Sequence, residues 1–177
     1  MADALDRLVL PNADEPLGGL TTDELRHRRN DLQRTEEALS YVRRVLQGRL
    51  DIVLDERRHR ADGTGGRDVS SVVADLPKIL AEHLTSGGRG ALPSLTLPSG
   101  EFDDVLTEVD HIIDAARLGS IGRLSDAELT EAADALTELE QQVSRHRRVL
   151  HTSIDALQEE IIRRYKSGEA SVDALLP

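Results

Sequence analysis

Residues 36–51 read EEALSYVRRVLQGRLD, and residues 140–155 read EQQVSRHRRVLHTSID. Both fit E-x3-S-x2-R-x3-(Q/H)-x3-D. The first copy supplies Glu36, Ser40, Arg43, Gln47 and Asp51; the second supplies Glu140, Ser144, Arg147, His151 and Asp155. An offset of 104 positions, from Glu36 to Glu140, holds at all five without a gap. At about 100° per residue, steps of four, three, four and four keep the five side chains within a stripe roughly 80° wide and 22 Å long. An apolar seam runs beside each stripe: Leu32, Leu39, Leu46, Leu50 and Val53, then Leu136, Leu139, Val143, Leu150, Ile154 and Leu157. Two long helices with such seams predict an all-α fold, a long antiparallel two-helix coiled-coil hairpin with shorter helices in the connecting segment.

The repeat extends beyond the stripe. The same offset pairs Leu20 with Leu124, Glu24 with Glu128, Leu25 with Leu129, Leu32 with Leu136, Arg44-Val45-Leu46 with Arg148-Val149-Leu150, and Glu56 with Glu160. Such density indicates internal duplication. Thr21 with Glu24, and Ser125 with Glu128, are capping-box pairs that start the two helices. These signals divide one domain into an N-terminal arm (1–20), a first motif helix (21–61), a linker with two shorter helices (62–124), a second motif helix (125–167) and a tail (168–177). Within the linker, 69–84 reads as a short amphipathic helix with a break at Pro77, and 85–100 as loop. Residues 101–118 read as one helix with Phe102, Val105, Leu106, Val109, Ile112 and Ile113 on its buried stripe. Asp62-Gly63-Thr64-Gly65-Gly66 stops the first long helix, and Gly168 the second.

Composition narrows the function. A net charge of −11 disfavours direct DNA binding, which needs concentrated Lys and Arg, and suits a basic protein partner. With no cysteine, disulfides, thiol catalysis and Cys-ligated metals are excluded, as fits the reducing cytosol. No apolar run approaches the ~20 residues of a membrane span, and the start does not read as a signal peptide. The expectation is a cytoplasmic protein with no membrane association.

Seams packed antiparallel bring the polar stripes together along one edge with an approximate two-fold axis, Arg43 and Arg147 near its middle. Carboxylates accept from guanine N1–H and N2–H2; arginine suits guanine O6 and N7, or a phosphate, and stacks on bases. Ser and Gln complete such contacts. Guanine and phosphate with two-fold symmetry point to a cyclic dinucleotide. The competing reading is a ladder of ion pairs flanking a coiled-coil seam; two copies in register, each with an uncharged serine, weaken it. Glu56 with His59 and Glu108 with His111 form E-x-x-H pairs of the kind found in di-iron bundles. Helical spacing turns Glu56 and His59 away from the seam, against a metal site. No nucleophile elbow or P-loop is present, so binding rather than catalysis is expected, and the protein is not read as an enzyme.

The twin motif resembles that of the RsiG family of actinomycete anti-sigma factors. The resemblance rests on 36–51, which fits the family pattern fully, and on 140–155, which departs at His151 where the pattern has Gln. It implies an antiparallel coiled coil that binds cyclic di-GMP, more than one molecule of it, and then sequesters the sporulation sigma factor WhiG. Carried over, Arg43, Asp51, Arg147 and Asp155 are the expected guanine readers. Glu36, Ser40, Gln47, Glu140, Ser144 and His151 are expected to complete the ligand shell. With both motifs in one chain, a monomer suffices. A coiled-coil adaptor with no small ligand is the alternative function.

Overall fold

A computed structural model describes residues 17–63 and 103–169, with isolated helical positions at 70, 73, 74 and 77. The expected arm up to residue 16, the helix and loop expected over 69–100 apart from those four positions, Phe102 and the tail after 169 lie outside the described residues. Among the described residues the structure is helical with no strand. Helix α1 (Thr22–Ala61, 40 residues) and helix α4 (Asp126–Ser167, 42 residues) form the hairpin. Between them lie α2 (Asp103–Ile112) and the single turn α3 (Ala115–Gly119).

Both long helices begin where the sequence says. Thr21 Oγ1 accepts from the Glu24 N–H at 3.3 Å while the Glu24 carboxylate accepts from the Thr21 N–H at 2.6 Å. Ser125 and Glu128 repeat this at 3.2 and 2.8 Å. Each box satisfies first-turn donors that have no partner inside the helix. Helix α4 ends on Gly168, whose φ of 76° is left-handed, a conformation glycine adopts without a Cβ penalty. Helix α1 runs through Gly48 unbroken.

Cross-helix contacts fix an antiparallel register from end to end: Arg29 to Gln158 at 2.8 Å, Arg147 to Glu36 and Arg43 to Glu140 at the centre, Arg60 to Asp126 at 2.7 Å. The seams bury as expected. Leu32, Leu39, Leu46 and Val53 of α1 lie in one core with Leu136, Leu139, Val143, Leu150 and Leu157 of α4, while Leu50 and Ile154 pack at its margin. Truncating one of these leucines to alanine costs about 2–5 kcal/mol.

The expected helix over 101–118 is instead two. Asp114 adopts extended backbone, and its carboxylate accepts from the Arg117 N–H at 2.7 Å; this local cap competes with helix continuation and starts α3 afresh. Of the expected stripe, Val105, Val109 and Ile113 are buried, with Leu106 and Ile112 at the margin. Arg49 of α1 pins α2, donating to the carbonyls of Val109 at 3.1 Å and Ile113 at 2.6 Å and pairing with Asp110. A cation suits carbonyls left over at a helix C-terminus. No helix among the described residues is long and apolar enough to cross a membrane.

Candidate functional site

The polar stripes meet along one edge of the hairpin, and their residues gather around two carboxylates. Glu36 Oε1 accepts from Ser40 Oγ at 2.7 Å and from Arg147 Nη2 and Nε at 2.7 and 3.0 Å, and His151 Nε2 stands 3.3 Å away. Glu140 Oε1 accepts from Arg43 Nε at 2.8 Å, Ser144 Oγ at 3.0 Å and Gln47 Nε2 at 3.2 Å. Each cluster is thus the two-fold image of the other, with His151 in the place of Gln47. Glu36 faces Arg147 and Glu140 faces Arg43, so the axis passes near Ser40 and Ser144, and the arginines sit about one turn out from it. The serines, which the sequence leaves without a place in an ion-pair ladder, each bridge back one turn to their own glutamate. Asp51 and Asp155 lie about one turn beyond Gln47 and His151, Asp51 partly buried and Asp155 exposed.

The two glutamates are screened but reachable, with 16% and 18% of their side chains exposed. Partial burial pushes the Glu36 carboxyl up, but hydrogen bonds from Ser40 and Arg147, with the charges of Arg147 and His151, outweigh it and hold the group below its ordinary value. Glu140 follows the same pattern, burial opposed by Arg43, Ser144 and Gln47. Both glutamates are therefore anionic at neutral pH. Each occupies an arginine from the opposite helix, orienting a guanidinium that has further N–H donors to offer.

A second pair of two-fold-related contacts closes the hairpin ends. Arg60 pairs with Glu56 at 2.7 Å and donates to the Ile121 carbonyl at 3.2 Å. Arg164 pairs with Glu160 at 2.8 Å and donates to the carbonyls of Leu20 at 2.5 Å and Leu17 at 2.9 Å. Each C-terminal arginine thus ties down the short 3-10 turn, Leu17–Gly19 or Ile121–Arg123, that precedes the opposite helix. This corrects the expected facing of Glu56, which is only 1% exposed. An apolar seam alone would cover α1 on one side, whereas the Ile121–Arg123 turn covers a second side at its end. His59 lies beside Asp55 at 3.8 Å, and no group of three or more metal-ligating side chains occurs among the described residues. Sequence reasoning noted Glu56 with Glu160 and missed Arg60 with Arg164; the same offset, carried four residues further, was the available signal.

The model of the RsiG-like family matches residues 11–80 and 115–177. The chain belongs to the RsiG-like family. The matched residues include both repeats and all ten stripe positions. An RsiG-like chain belongs to a family of anti-sigma factors rather than of enzymes, which implies a sigma factor as partner. A comparison with curated proteins gives no match.

Proposed function

We propose that this RsiG-like chain is an anti-sigma factor that binds cyclic di-GMP along the stripe edge and, so loaded, sequesters a WhiG-type sporulation sigma factor in the cytoplasm. The observation that carries the reading is the pair of two-fold-related clusters at Glu36 and Glu140. A two-fold arrangement of arginines and carboxylates suits a ligand that is itself two-fold, guanine-bearing and anionic. In this reading Arg43 and Arg147 take guanine O6 and N7 or the phosphates. Asp51 and Asp155 accept from guanine N1–H and N2–H2. Ser40, Ser144, Gln47 and His151 supply the remaining contacts, and more than one ligand molecule fits the length of the edge.

The free hairpin adds a step to this reading. Arg43 and Arg147 already hold Glu140 and Glu36, so a phosphate or base either displaces a glutamate or adds to the free face of a guanidinium. Ligand then favours sigma-factor capture only through a difference in affinity between the loaded and free hairpins.

The same pairing also favours a second reading, a coiled-coil adaptor whose stripe is an internal ion-pair ladder and takes no small ligand. Isothermal titration with cyclic di-GMP separates the two. Micromolar or tighter binding that weakens in Arg43→Ala and in Arg147→Ala supports the sensor. Absence of heat at high ligand concentration leaves the adaptor. A sigma-factor pull-down with and without the nucleotide then tests the coupling.

A further inference from the structure

Helices α2, α3 and the start of α4 enclose an open cleft of about 420 Å³. Its floor is apolar, made by Ile112, Ala132 and Ala135, and its walls are Glu108, His111, Arg117, Glu128 and Glu131. One wall carboxylate is already committed: Glu128 accepts from the Ser125 N–H at the helix start and from Arg117 at 3.3 Å. Glu108 and Glu131 have no hydrogen-bond or ion-pair partner among the described residues. Glu108 is half-buried and Glu131 exposed at the rim.

The cleft is also where the internal repeat breaks. The positions two-fold related to Ala132, Ala135 and Glu131 are Arg28, Asp31 and His27. This face of α4 carries small side chains where the first repeat carries Arg28 and Asp31. Aliphatic floor and unmatched acidic wall together fit a long basic side chain, whose methylene stem lies on apolar surface while its head stays with carboxylates. The cleft lies on one flank of the hairpin, at α2, whereas the stripe residues gather along its own edge.

We propose that this cleft is a docking site for a lysine or arginine presented by a basic segment of the sigma-factor partner, the stem seated on Ile112, Ala132 and Ala135 and the cation held by Glu108 and Glu131. The inference rests on the anti-sigma reading and adds a contact surface to it, separate from the nucleotide edge. A basic partner is favoured by the chain's charge of −11, which steers cations toward such clefts.

The test measures sigma-factor affinity for the full chain, with saturating cyclic di-GMP, in two variants. Glu108→Lys/Glu131→Lys reverses the wall charge. Ala135→Leu fills the floor without touching charge. Circular dichroism and nucleotide titration serve as controls, and both should match the unmodified chain. The expected result is a loss of about tenfold or more in sigma-factor affinity in each variant. Affinity within about twofold of the unmodified chain in either variant overturns the proposal, because a seated stem needs the floor and its head needs the wall. If the unmodified chain itself binds no sigma factor, the proposed function fails and this inference fails with it; that outcome is read on a separate arm. Altered thermal stability with unchanged sigma-factor binding also overturns it, and assigns the cleft to the chain's own connecting segment.

Discussion

Arg28 and Arg29 of the first repeat stand where the second has Ala132 and Ala133, and this pair separates two halves of a hairpin that are otherwise built alike. Along the stripe edge the halves share one plan, with His151 in the place of Gln47, because each half supplies the carboxylate for the other's arginine. On the flank they diverge. Ala133 is 3% exposed and lies in one core with Val105, Val109 and Ile113, and Arg49, which pins α2, has Ser153 as its counterpart. Duplication thus supplies a symmetric frame, and a few small residues decide which half accepts the connecting helix.

The sharpest way to break that comparison is Ala133→Arg, which copies the first repeat's residue into the second. A guanidinium in place of this buried methyl enters the apolar core, so a loss of about 3 kcal/mol or more is expected. It should show in thermal unfolding and in faster hydrogen exchange over 103–113. A variant as stable as the parent would mean that side-chain size at this position does not place α2.

The end clasps come next. Arg60→Ala strands Glu56 at 1% exposure and is expected to cost about 3 kcal/mol, as when one partner of a buried pair is removed. Arg164→Ala should cost only about 1 kcal/mol, because Glu160 keeps Arg163 at 2.8 Å. Denaturant unfolding of the two variants gives the order; the reverse order would overturn the asymmetry.

On the stripe, Arg43→Ala and Arg147→Ala are expected to weaken cyclic di-GMP binding about tenfold to a hundredfold, and by similar factors, since each loses charge-assisted contacts. Calorimetry that finds one arginine dispensable would break the two-fold picture. Stability against acid sharpens it further. Glu36 and Glu140 are both held below the ordinary 4.5. Their contribution is therefore complete above that value and is lost as the pH falls from 4.5 through the lowered folded values. Replacing both by glutamine should flatten this part of the acid-unfolding profile. Glu160, lowered to about 2 by Arg163 and Arg164, leaves a residual slope. The smallest effect is expected from His151→Gln, which makes the clusters chemically equal. Calorimetry should find cyclic di-GMP affinity within about threefold of the parent, since an amide and an imidazole can both donate at this position.

The features legible in the sequence were those set by local chemistry. Thr21 with Glu24 and Ser125 with Glu128 place the helix starts because the capping groups lie within one turn. The five-residue stripe faces one way because helical periodicity alone dictates it, and antiparallel packing then brings Arg43 to Glu140. The burial of Glu56 was not legible, since it depends on a turn 65 residues away, at Ile121, folding over the end of α1. The break at Asp114 was local but competed with a continuous apolar stripe, and the cap prevailed. Which residues hold ligand is a matter of chemistry: eight of the ten side chains that would suit a nucleotide also hold one another.

Arg60 and Arg164 carry one further consequence. Antiparallel helices can carry a signal by slipping past each other by part of a turn, and a polar edge with repeating spacing would tolerate such a shift. Here the arginine at each helix's far end is fastened to the main chain just ahead of its neighbour, so slippage in either direction would pull at least one guanidinium off its carbonyls. The stagger is locked at both ends at once. Whatever news the centre of the hairpin receives must leave sideways, through the groups it exposes, and not lengthwise along the rods.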